Sequence, residues 1–325
     1  MTKHLRYLLL VAMQAAIARA AASPILQLPL DCSLGRDCFV QNYVDEDASD
    51  EAHDYRCGAR TYDRHNGTDF RIPNMVAQAA GVRVLAAADG VIARTRDGME
   101  DISTRATGRN AVKGKECGNG IVITHKDGWS TQYCHLAKGS VSVHTSQTVV
   151  AGQPIGLVGL SGDTEFPHVH LTVRRGDVVV DPFAESQSKS CELGTSLWNP
   201  RIPNIGNYPR GEVLNFGFSS EQVSMSQIET GEATKHGIAR NLPLLAYVRA
   251  IGLEKGDEQF LQITDPTGAS LVEATIPPLE NAKAEFFMTA GKRESQWLNG
   301  TYRATYSVKR AGQTVLSKEF TAELR

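Results

Sequence analysis

Three features are missing from this sequence of 325 residues, and each absence excludes a class of protein. It contains no Cys-x-x-Cys pair, the spacing typical of cysteine zinc sites and thioredoxin-like redox motifs. After residue 22 it has no apolar run long enough to cross a membrane, which takes about 20 residues. It has no excess of basic residues, which binding to nucleic-acid phosphates would need. What remains is the composition of a globular protein, with 41% apolar and 22% charged residues.

The first 22 residues have the layout of a secretory signal peptide. Basic residues at positions 3 and 6 precede an apolar run, and small residues then follow as far as Ala22. Removal of residues 1–22 takes three of the 34 basic residues and none of the 36 acidic ones, which leaves a formal net charge of about −5. We therefore predict an exported protein, periplasmic or secreted, with no membrane span after cleavage and no nucleic-acid partner.

Six cysteines lie beyond the predicted signal peptide: Cys32, Cys38, Cys57, Cys117, Cys134 and Cys191. An even number in an exported chain indicates disulfides. Cys32 and Cys38 are close enough in sequence to form a local bridge. The other four allow three pairings, and their spacing does not choose among them.

Two strand-rich regions are separated by a proline-containing segment. Short apolar runs with turn signals between them predict an antiparallel β domain, at residues 82–85, 90–93, 120–124, 131–136 and 169–173. A second series predicts an immunoglobulin-like β-sandwich, at residues 244–248, 260–263, 301–306 and 314–316. Residues 95–119 form a long glycine-containing connection, and connections of that length often form the wall of a binding cleft.

Three elements of the first region carry chemistry. His65 and Asp69 lie four residues apart across a glycine, and His135 lies in a predicted strand. His168 and His170 lie two apart in a strand, so both imidazoles project from the same face, about 7 Å apart. Each element alone is a weak signal, but together they provide the nitrogen and carboxylate ligands that zinc prefers. His65, Asp69 and one histidine of the pair would make a three-ligand site.

The order of these elements also matches a known family. The segment from His65 to Phe183 resembles the lysostaphin/LytM-type zinc metallopeptidases, a family of peptidoglycan endopeptidases. The matching runs are HNGTDF (65–70), AADGVI (87–92), GNGIVITH (118–125), DGWSTQYCHL (127–136), GQPIG (152–156), GLSG (159–162) and PHVH (167–170).

The resemblance implies a role for each residue of the candidate site. It implies that His65, Asp69 and His170 bind Zn²⁺, and that His135 and His168 are catalytic. It also implies amide hydrolysis by a zinc-activated water, with one catalytic histidine accepting a proton and the other stabilising the oxyanion. The strand spacing alone does not distinguish His168 from His170.

Strand alternation makes two further predictions around His135. Tyr133 should face the same cleft as His135, unless it is a packing residue between strands. Cys134 should point away from the metal.

The chain departs from the family's pattern on both sides of the paired histidines. Asp163-Thr164-Glu165-Phe166 replaces a smaller Ser-Thr-Gly run, which makes that rim more acidic and bulkier. Leu171-Thr172 replaces Phe-Glu, which changes the groups that support the metal ligands. Neither departure removes a predicted ligand, but both affect the expected substrate preference.

We therefore predict a mainly β protein with a LytM-type peptidase domain and a C-terminal immunoglobulin-like sandwich. The predicted divisions are a signal peptide (1–22), a cysteine-containing acidic segment (23–60), the peptidase domain (61–185), a linker (186–210) and the accessory sandwich (211–325).

The predicted function is hydrolysis of peptide bonds in peptidoglycan cross-links. The alternative is a non-catalytic protein that binds cell wall or activates another hydrolase. A third interpretation combines the two: the C-terminal domain would recruit a protein partner or substrate, and residues 23–60 would cover the cleft until displaced. Otherwise both regions give structural support.

Overall fold

A computed structural model describes residues 22–185, 194–235, 237–294 and 296–325. The predicted signal peptide, apart from Ala22, and the first part of the predicted linker, with Cys191, lie outside the described residues. Within these ranges, no helix has the length and apolar character needed to cross a bilayer.

Ten strands form the first part of the molecule, and all their pairings are antiparallel. They are β1 (Phe39–Asn42), β2 (Thr68–Arg71), β3 (Arg83–Leu85), β4 (Gly90–Arg96), β5 (Asn119–Thr124), β6 (Trp129–Leu136), β7 (Thr148–Val149), β8 (Pro154–Leu157), β9 (His168–Arg175) and β10 (Val178–Val179). Seven of them form one sheet in the order β1-β2-β9-β6-β5-β4-β7, with β10 added beside β9, while β3 and β8 pair separately. The predicted antiparallel β domain is confirmed.

The large sheet has one apolar face and one polar face. Phe70, Tyr133 and Leu171 belong to its core side and are fully buried together with Val84 of β3 and Ile155 of β8. Because side chains alternate along a strand, the residues between them project to the other face. The pattern of the sequence therefore fixes which side of the sheet can carry a polar site.

Residues before and after these strands complete the same core. Leu26 and Leu30 near the N-terminus, and Leu197, Trp198 and Ile205 after the peptidase region, are all buried in it. Residues 23–60 are thus built into the first core, and β1 is the edge strand of its sheet. Because these residues are packed into the core, they do not form a cover that could detach from the cleft.

Two of the disulfides join cysteines that are 6 and 17 residues apart in the sequence. Cys32 and Cys38 are bonded, as the sequence predicts. Cys117 and Cys134 form a second bond, which ties the long connection before β5 to strand β6. Cys57 is also disulfide-bonded.

The second part of the molecule is a two-sheet sandwich of seven strands. They are β11 (Glu212–Ser219), β12 (Leu244–Leu253), β13 (Glu258–Thr264), β14 (Ser270–Ile276), β15 (Lys283–Lys292), β16 (Gly300–Arg310) and β17 (Gln313–Leu324). One antiparallel sheet has the order β11-β12-β15 and the other β14-β13-β16-β17. Val248 and Met288 from the first sheet pack with Leu261 and Tyr306 from the second in a shared core.

Helices are short. The α-helices are α1 (Met75–Ala80), α2 (Thr104–Thr107) and α3 (Met225–Thr230), and the 3-10 helices are Arg109–Val112, Lys126–Gly128 and Glu232–Thr234. Helix α2 and the 3-10 helix at Arg109–Val112 lie within the connection between β4 and β5. Helix α3 ends with a glycine, Gly231, in the left-handed conformation that favours this residue.

Asp181, just after β10, is a buried carboxyl. Burial raises its pKa to about 8. Its Oδ1 accepts a hydrogen bond from the Phe183 amide at 2.7 Å, whereas its buried Oδ2 has no donor within reach in the described part of the chain. The ordinary pKa of an aspartate carboxyl is about 3.9. Between about pH 3.9 and pH 8 the Asp181 carboxyl is therefore protonated in the folded protein and ionised in the unfolded chain.

We predict that Asp181→Asn stabilises the protein increasingly from about pH 4 to about pH 8. The amide keeps the acceptor for Phe183 and does not titrate. The wild-type protein should lose up to about 1.4 kcal/mol of unfolding free energy per pH unit in this window, because only its folded state holds the proton. Chemical denaturation at several pH values measures the difference. Asp177→Asn, in the exposed turn before β10, is the matched control, and a stability difference for Asp181→Asn that does not change with pH would contradict the prediction.

Candidate metal and catalytic site

The register of β2, β9 and β6 assembles the floor of a polar cleft. Asp69 of β2 lies opposite His170 of β9, and His170 in turn lies opposite Cys134 of β6. Arg71 lies opposite His168, two residues along each strand. The paired histidines therefore project from one face together with Asp69, as their spacing predicts.

His65 reaches the same place from the turn before β2. Its ring is buried, and its Nδ1 lies 2.6 Å from the main-chain carbonyl of Tyr43. Gly67 makes the turn possible because a Cβ there would lie 2.5 Å from Nε2 of His170. Any larger residue would displace the His170 ring.

His135 is presented by a bulge at the end of β6. Its φ of 64° lies in the left-handed region, and its strand has two residues, Cys134 and His135, where β5 has only Gly120. The bulge turns both Cys134 and His135 toward the cleft. The main-chain carbonyl of Cys117 accepts a hydrogen bond from the His135 amide at 2.8 Å and holds this conformation.

This bulge makes both alternation-based predictions wrong. Tyr133 does not face the cleft: it is fully buried in the core, and its hydroxyl accepts a hydrogen bond from the Ala87 amide at 2.7 Å. It is the packing residue that the alternative interpretation described. Cys134 does not point away from the cleft but lines it, bonded to Cys117.

Three ligand atoms converge at the floor of the cleft. Nε2 of His65 lies 3.2 Å from Oδ1 of Asp69 and 3.2 Å from Nδ1 of His170. The third side of the triangle, from His170 Nδ1 to Asp69 Oδ1, is 2.9 Å. His65, Asp69 and His170 could thus hold one metal ion together.

The size of this triangle fits a tetrahedral zinc ion. Zinc bonds of about 2.0–2.1 Å to nitrogen or oxygen place neighbouring ligand atoms about 3.3 Å apart. The observed separations of 2.9 to 3.2 Å are slightly smaller. Two imidazoles and one carboxylate also form a usual donor set for a catalytic zinc site, which leaves a fourth position open.

Each of the four histidines has a partner for its outer ring nitrogen. A carbonyl oxygen can only accept, so the nitrogen facing it carries a proton and the inner nitrogen is left to face the cleft. The pairs are His65 Nδ1 with Tyr43 O at 2.6 Å, His135 Nδ1 with Ser161 O at 2.8 Å, His168 Nδ1 with Phe166 O at 3.0 Å, and His170 Nε2 with Asn66 Oδ1 at 3.0 Å.

His135 and His168 form a second pair beside the three ligand atoms. Their ring centroids lie 4.7 Å apart, and Nε2 of His168 is 3.4 Å from Oδ1 of Asp69. Burial, with the nearby charges of His168 and His170, holds the pKa of His135 well below its ordinary value. An imidazole whose inner nitrogen faces the cleft can accept a proton or, once protonated, donate a hydrogen bond.

Asp69 is ionised although it is buried. Burial by itself raises its pKa, but the charges of His65 and His168 and the hydrogen bonds of His168 and His170 outweigh this and hold the pKa well below the ordinary value. The site therefore carries a carboxylate at neutral pH. A buried carboxylate needs a positive partner, which a bound cation would supply.

The cleft above the site is open and lined by charges of both signs. Arg64 and Arg174 lie on its walls, as do Glu116 and Asp163. Glu116 belongs to the long connection between β4 and β5, which the sequence predicts as a cleft wall. Of the other histidines, His125 is held by the Asp89 carbonyl and Thr131 away from the cleft, as expected of a satisfied structural residue.

Several supporting groups have no signal in the sequence pattern. The carbonyls of Tyr43 and Ser161 orient ring nitrogens through the main chain, so their side-chain identity gives no indication of this role. Asn66 and Thr172 both contact Nε2 of His170. Asn66 lies inside a matching motif and Thr172 at a departure from the family pattern, which are the only indications available.

Comparisons with known proteins cover the region that contains this site. Residues 63–182 match the model described as peptidase family M23. The peptidoglycan DD-endopeptidase ShyA of Vibrio cholerae is 35% identical over 106 residues, which are 33% of this chain and 19% of that protein. The cell division protein DipM of Caulobacter vibrioides is 31% identical over 121 residues, which are 37% of this chain and 16% of that protein.

Among solved structures, the catalytic domain of the antimicrobial peptidase lysostaphin from Staphylococcus simulans is 25% identical. The match covers 37% of this chain and 76% of that one, with a TM-score of 0.28. The chain spans less than a fifth of the length of the two curated relatives above. The predicted family resemblance is confirmed, because residues 63–182 match the model of peptidase family M23.

We predict that metal binding separates the five residues into two groups. Alanine at position 65, 69 or 170 should weaken zinc binding by more than about 100-fold, since even residues that only support a ligand contribute about 10–100-fold. Alanine at position 135 or 168 should weaken it less than any of these three changes, because neither ring belongs to the group of three that could hold the ion. Zinc content after purification and chelator competition measure the effect.

The His168→Ala variant is the most stringent test of this assignment, because Nε2 of His168 lies close to the predicted ligand Asp69. His144→Ala, an exposed histidine outside the cleft, serves as the matched control. Loss of zinc from a folded His168→Ala variant would show that the ligand set is assigned incorrectly.

Proposed function

We propose that this chain, through its peptidase family M23 domain, is an exported zinc-dependent endopeptidase that hydrolyses peptide bonds in peptidoglycan cross-links. One observation carries the proposal: three ligand atoms 2.9 to 3.2 Å apart lie beside two histidines with inward-facing nitrogens. The substrate class is supported by relatives named as peptidoglycan DD-endopeptidases.

In this proposal His65, Asp69 and His170 hold the zinc ion. When bound, zinc supplies a Lewis acid that polarises the scissile carbonyl and lowers the pKa of water. Asp69 provides the compensating negative charge, and Asn66 and the Tyr43 carbonyl keep the ligand rings oriented.

His135 and His168 perform the proton transfers. One accepts the proton of the attacking water, and the other donates a hydrogen bond to the oxygen that becomes negative in the tetrahedral intermediate. Their outer nitrogens are bound to the carbonyls of Ser161 and Phe166. These bonds fix the ring orientations before substrate binds, so little reorganisation is needed during the reaction.

Export is supported by two independent features. Residues 1–22 have the composition of a signal peptide. The Cys32–Cys38 and Cys117–Cys134 disulfides are bonds that persist in oxidising compartments outside the cytoplasm. A periplasmic or secreted location is also where peptidoglycan lies.

The accessory sandwich is proposed to have immunoglobulin-like topology over residues 211–325. Its support is the division of seven antiparallel strands into sheets of three and four over one core. The bounds of 61–185 for the peptidase domain and 186–210 for the linker are part of the same proposal, with a linker that packs on the first core through Leu197, Trp198 and Ile205. A protein partner for the sandwich remains an alternative role.

We predict that the purified protein releases peptide fragments from isolated peptidoglycan, and that a zinc chelator abolishes the release. Alanine at His135 or His168 should lower kcat by roughly 10²–10⁴-fold with zinc still bound, because each removes a proton-transfer group. Mass spectrometry of the released fragments identifies the bond that is cleaved.

The control for this experiment is His144→Ala, which should keep wild-type activity and zinc. If zinc-loaded wild-type protein binds peptidoglycan but releases no fragments, the proposed hydrolysis is wrong. That outcome favours the alternative of a cell-wall-binding protein or an activator of another hydrolase.

A further inference from the structure

A cluster of buried charges joins the accessory sandwich to the strand that carries Asp69. Arg71 of β2 and Arg249 of β12 are both fully buried. Glu229 of α3 accepts hydrogen bonds from both guanidinium groups, at 2.8 Å from Arg71 and 2.5 Å from Arg249. Glu285 of β15 accepts from the same two, at 3.3 and 3.0 Å. The two acids of the sandwich therefore hold an arginine of the peptidase domain.

Arg71 lies next to the catalytic pair. It is two residues after Asp69 on the same face of β2 and opposite His168 in the register. Its guanidinium carbon lies 4.1 Å from the centre of the Phe166 ring, and that ring lies 4.8 Å from the ring of His168. The contacts run in the order Arg71, Phe166, His168, and a planar guanidinium suits the first contact better than a lysine.

Phe166 belongs to the segment that orients His168. Its carbonyl oxygen lies 3.0 Å from His168 Nδ1, and the hydroxyl of Thr164 lies 3.1 Å from the same nitrogen. A shift of residues 164–166 would therefore rotate the His168 ring or break its supporting bonds. Its Nε2 would then leave the position beside Asp69.

Glu285 also reaches this segment by a second route. Its Oε2 accepts a hydrogen bond from Arg105 of α2 at 3.3 Å, and Arg105 donates to Glu165 at 3.0 Å. The neighbouring Ser103 hydroxyl donates to the Glu165 carbonyl at 3.0 Å. One carboxylate of the sandwich thus holds the 164–166 segment from both sides, through Arg71 and through Arg105.

We infer that the C-terminal sandwich completes the catalytic site, with Glu285 as a positioning residue for His168. It acts through Arg71 and Phe166 on one side and through Arg105 and Glu165 on the other. This inference rests on the catalytic role proposed for His168. The sandwich is then required for the rate of the reaction, in addition to any role in stability or in binding a partner.

A double-mutant cycle in the full-length, zinc-loaded protein tests the inference. Glu285→Gln keeps the shape of the side chain and removes its charge, and Phe166→Leu removes the ring between Arg71 and His168. Each variant should lower kcat by about tenfold with KM and zinc content unchanged, because a small displacement of a catalytic group is enough for such a loss. Glu285 and Phe166 act in one chain of contacts, so the double variant should lose about tenfold and not about a hundredfold.

The matched control is Glu319→Gln, which removes a carboxylate from the exposed Arg303–Glu319 pair on the same sandwich. It should leave kcat unchanged. Wild-type kcat in a folded Glu285→Gln variant, or a hundredfold loss in the double variant, overturns the inference. If Glu285→Gln does not fold, Arg105→Gln, whose side chain is 42% exposed, tests the second route in the same way.

A measurement without substrate separates this inference from the proposed function. In zinc-loaded protein with isotope-labelled histidines, the ring signals of His168 should shift in Glu285→Gln and in Phe166→Leu but not in Glu319→Gln. If the wild-type protein proves inactive while these shifts occur, hydrolysis is refuted and the positioning contact stands. Unchanged His168 signals in folded Glu285→Gln refute the contact itself.

Discussion

The antiparallel register between β2 and β9 is the constraint on which the rest of this molecule depends. It places Asp69 opposite His170 and Arg71 opposite His168. A slip of one residue by either strand would move the two polar side chains of that strand to the apolar face, where they would lose their partners. The buried Phe70, Val169 and Leu171 between them prevent such a slip, because they would then leave the core. The burial of these apolar side chains therefore keeps the polar side chains of the site on the cleft face of the sheet.

Orientation of the imidazoles comes from main-chain and side-chain oxygens in distant parts of the chain. Tyr43 belongs to the segment before the peptidase motifs, and Ser161 to the loop before β9, yet their carbonyls set the tautomers of His65 and His135. The N-terminal segment thus has a direct structural role at the site. Residues 23–60 therefore share the first core and, through Tyr43, also orient the ring of His65.

The cluster of buried charges at the junction with the sandwich consists of ions, whereas the core consists of apolar side chains. Buried ions are stable only when each has a close partner, and breaking such a set is far more unfavourable than never burying it. Arg71, Arg249, Glu229 and Glu285 form ion pairs with one another across the two parts of the molecule. Such a cluster fixes the relative orientation of the two parts, because sliding one surface past the other would break these ion pairs. The cluster thereby also fixes the position of residues 164–166, which lie beside it.

The sequence by itself determined the strand-rich architecture, the clustering of His65, Asp69, His168 and His170, and the Cys32–Cys38 bridge. All of these depend on local alternation or short spacing, which the order of residues expresses directly. The direction of Tyr133 and Cys134 was decided by the tertiary structure. A bulge at His135 adds one residue to its strand, and no local pattern reveals that insertion. The second disulfide, the carbonyl partners of the histidines and the contact of Glu285 with Arg71 were also decided there. They join residues far apart in the chain, whose proximity follows only from the packing of the complete fold.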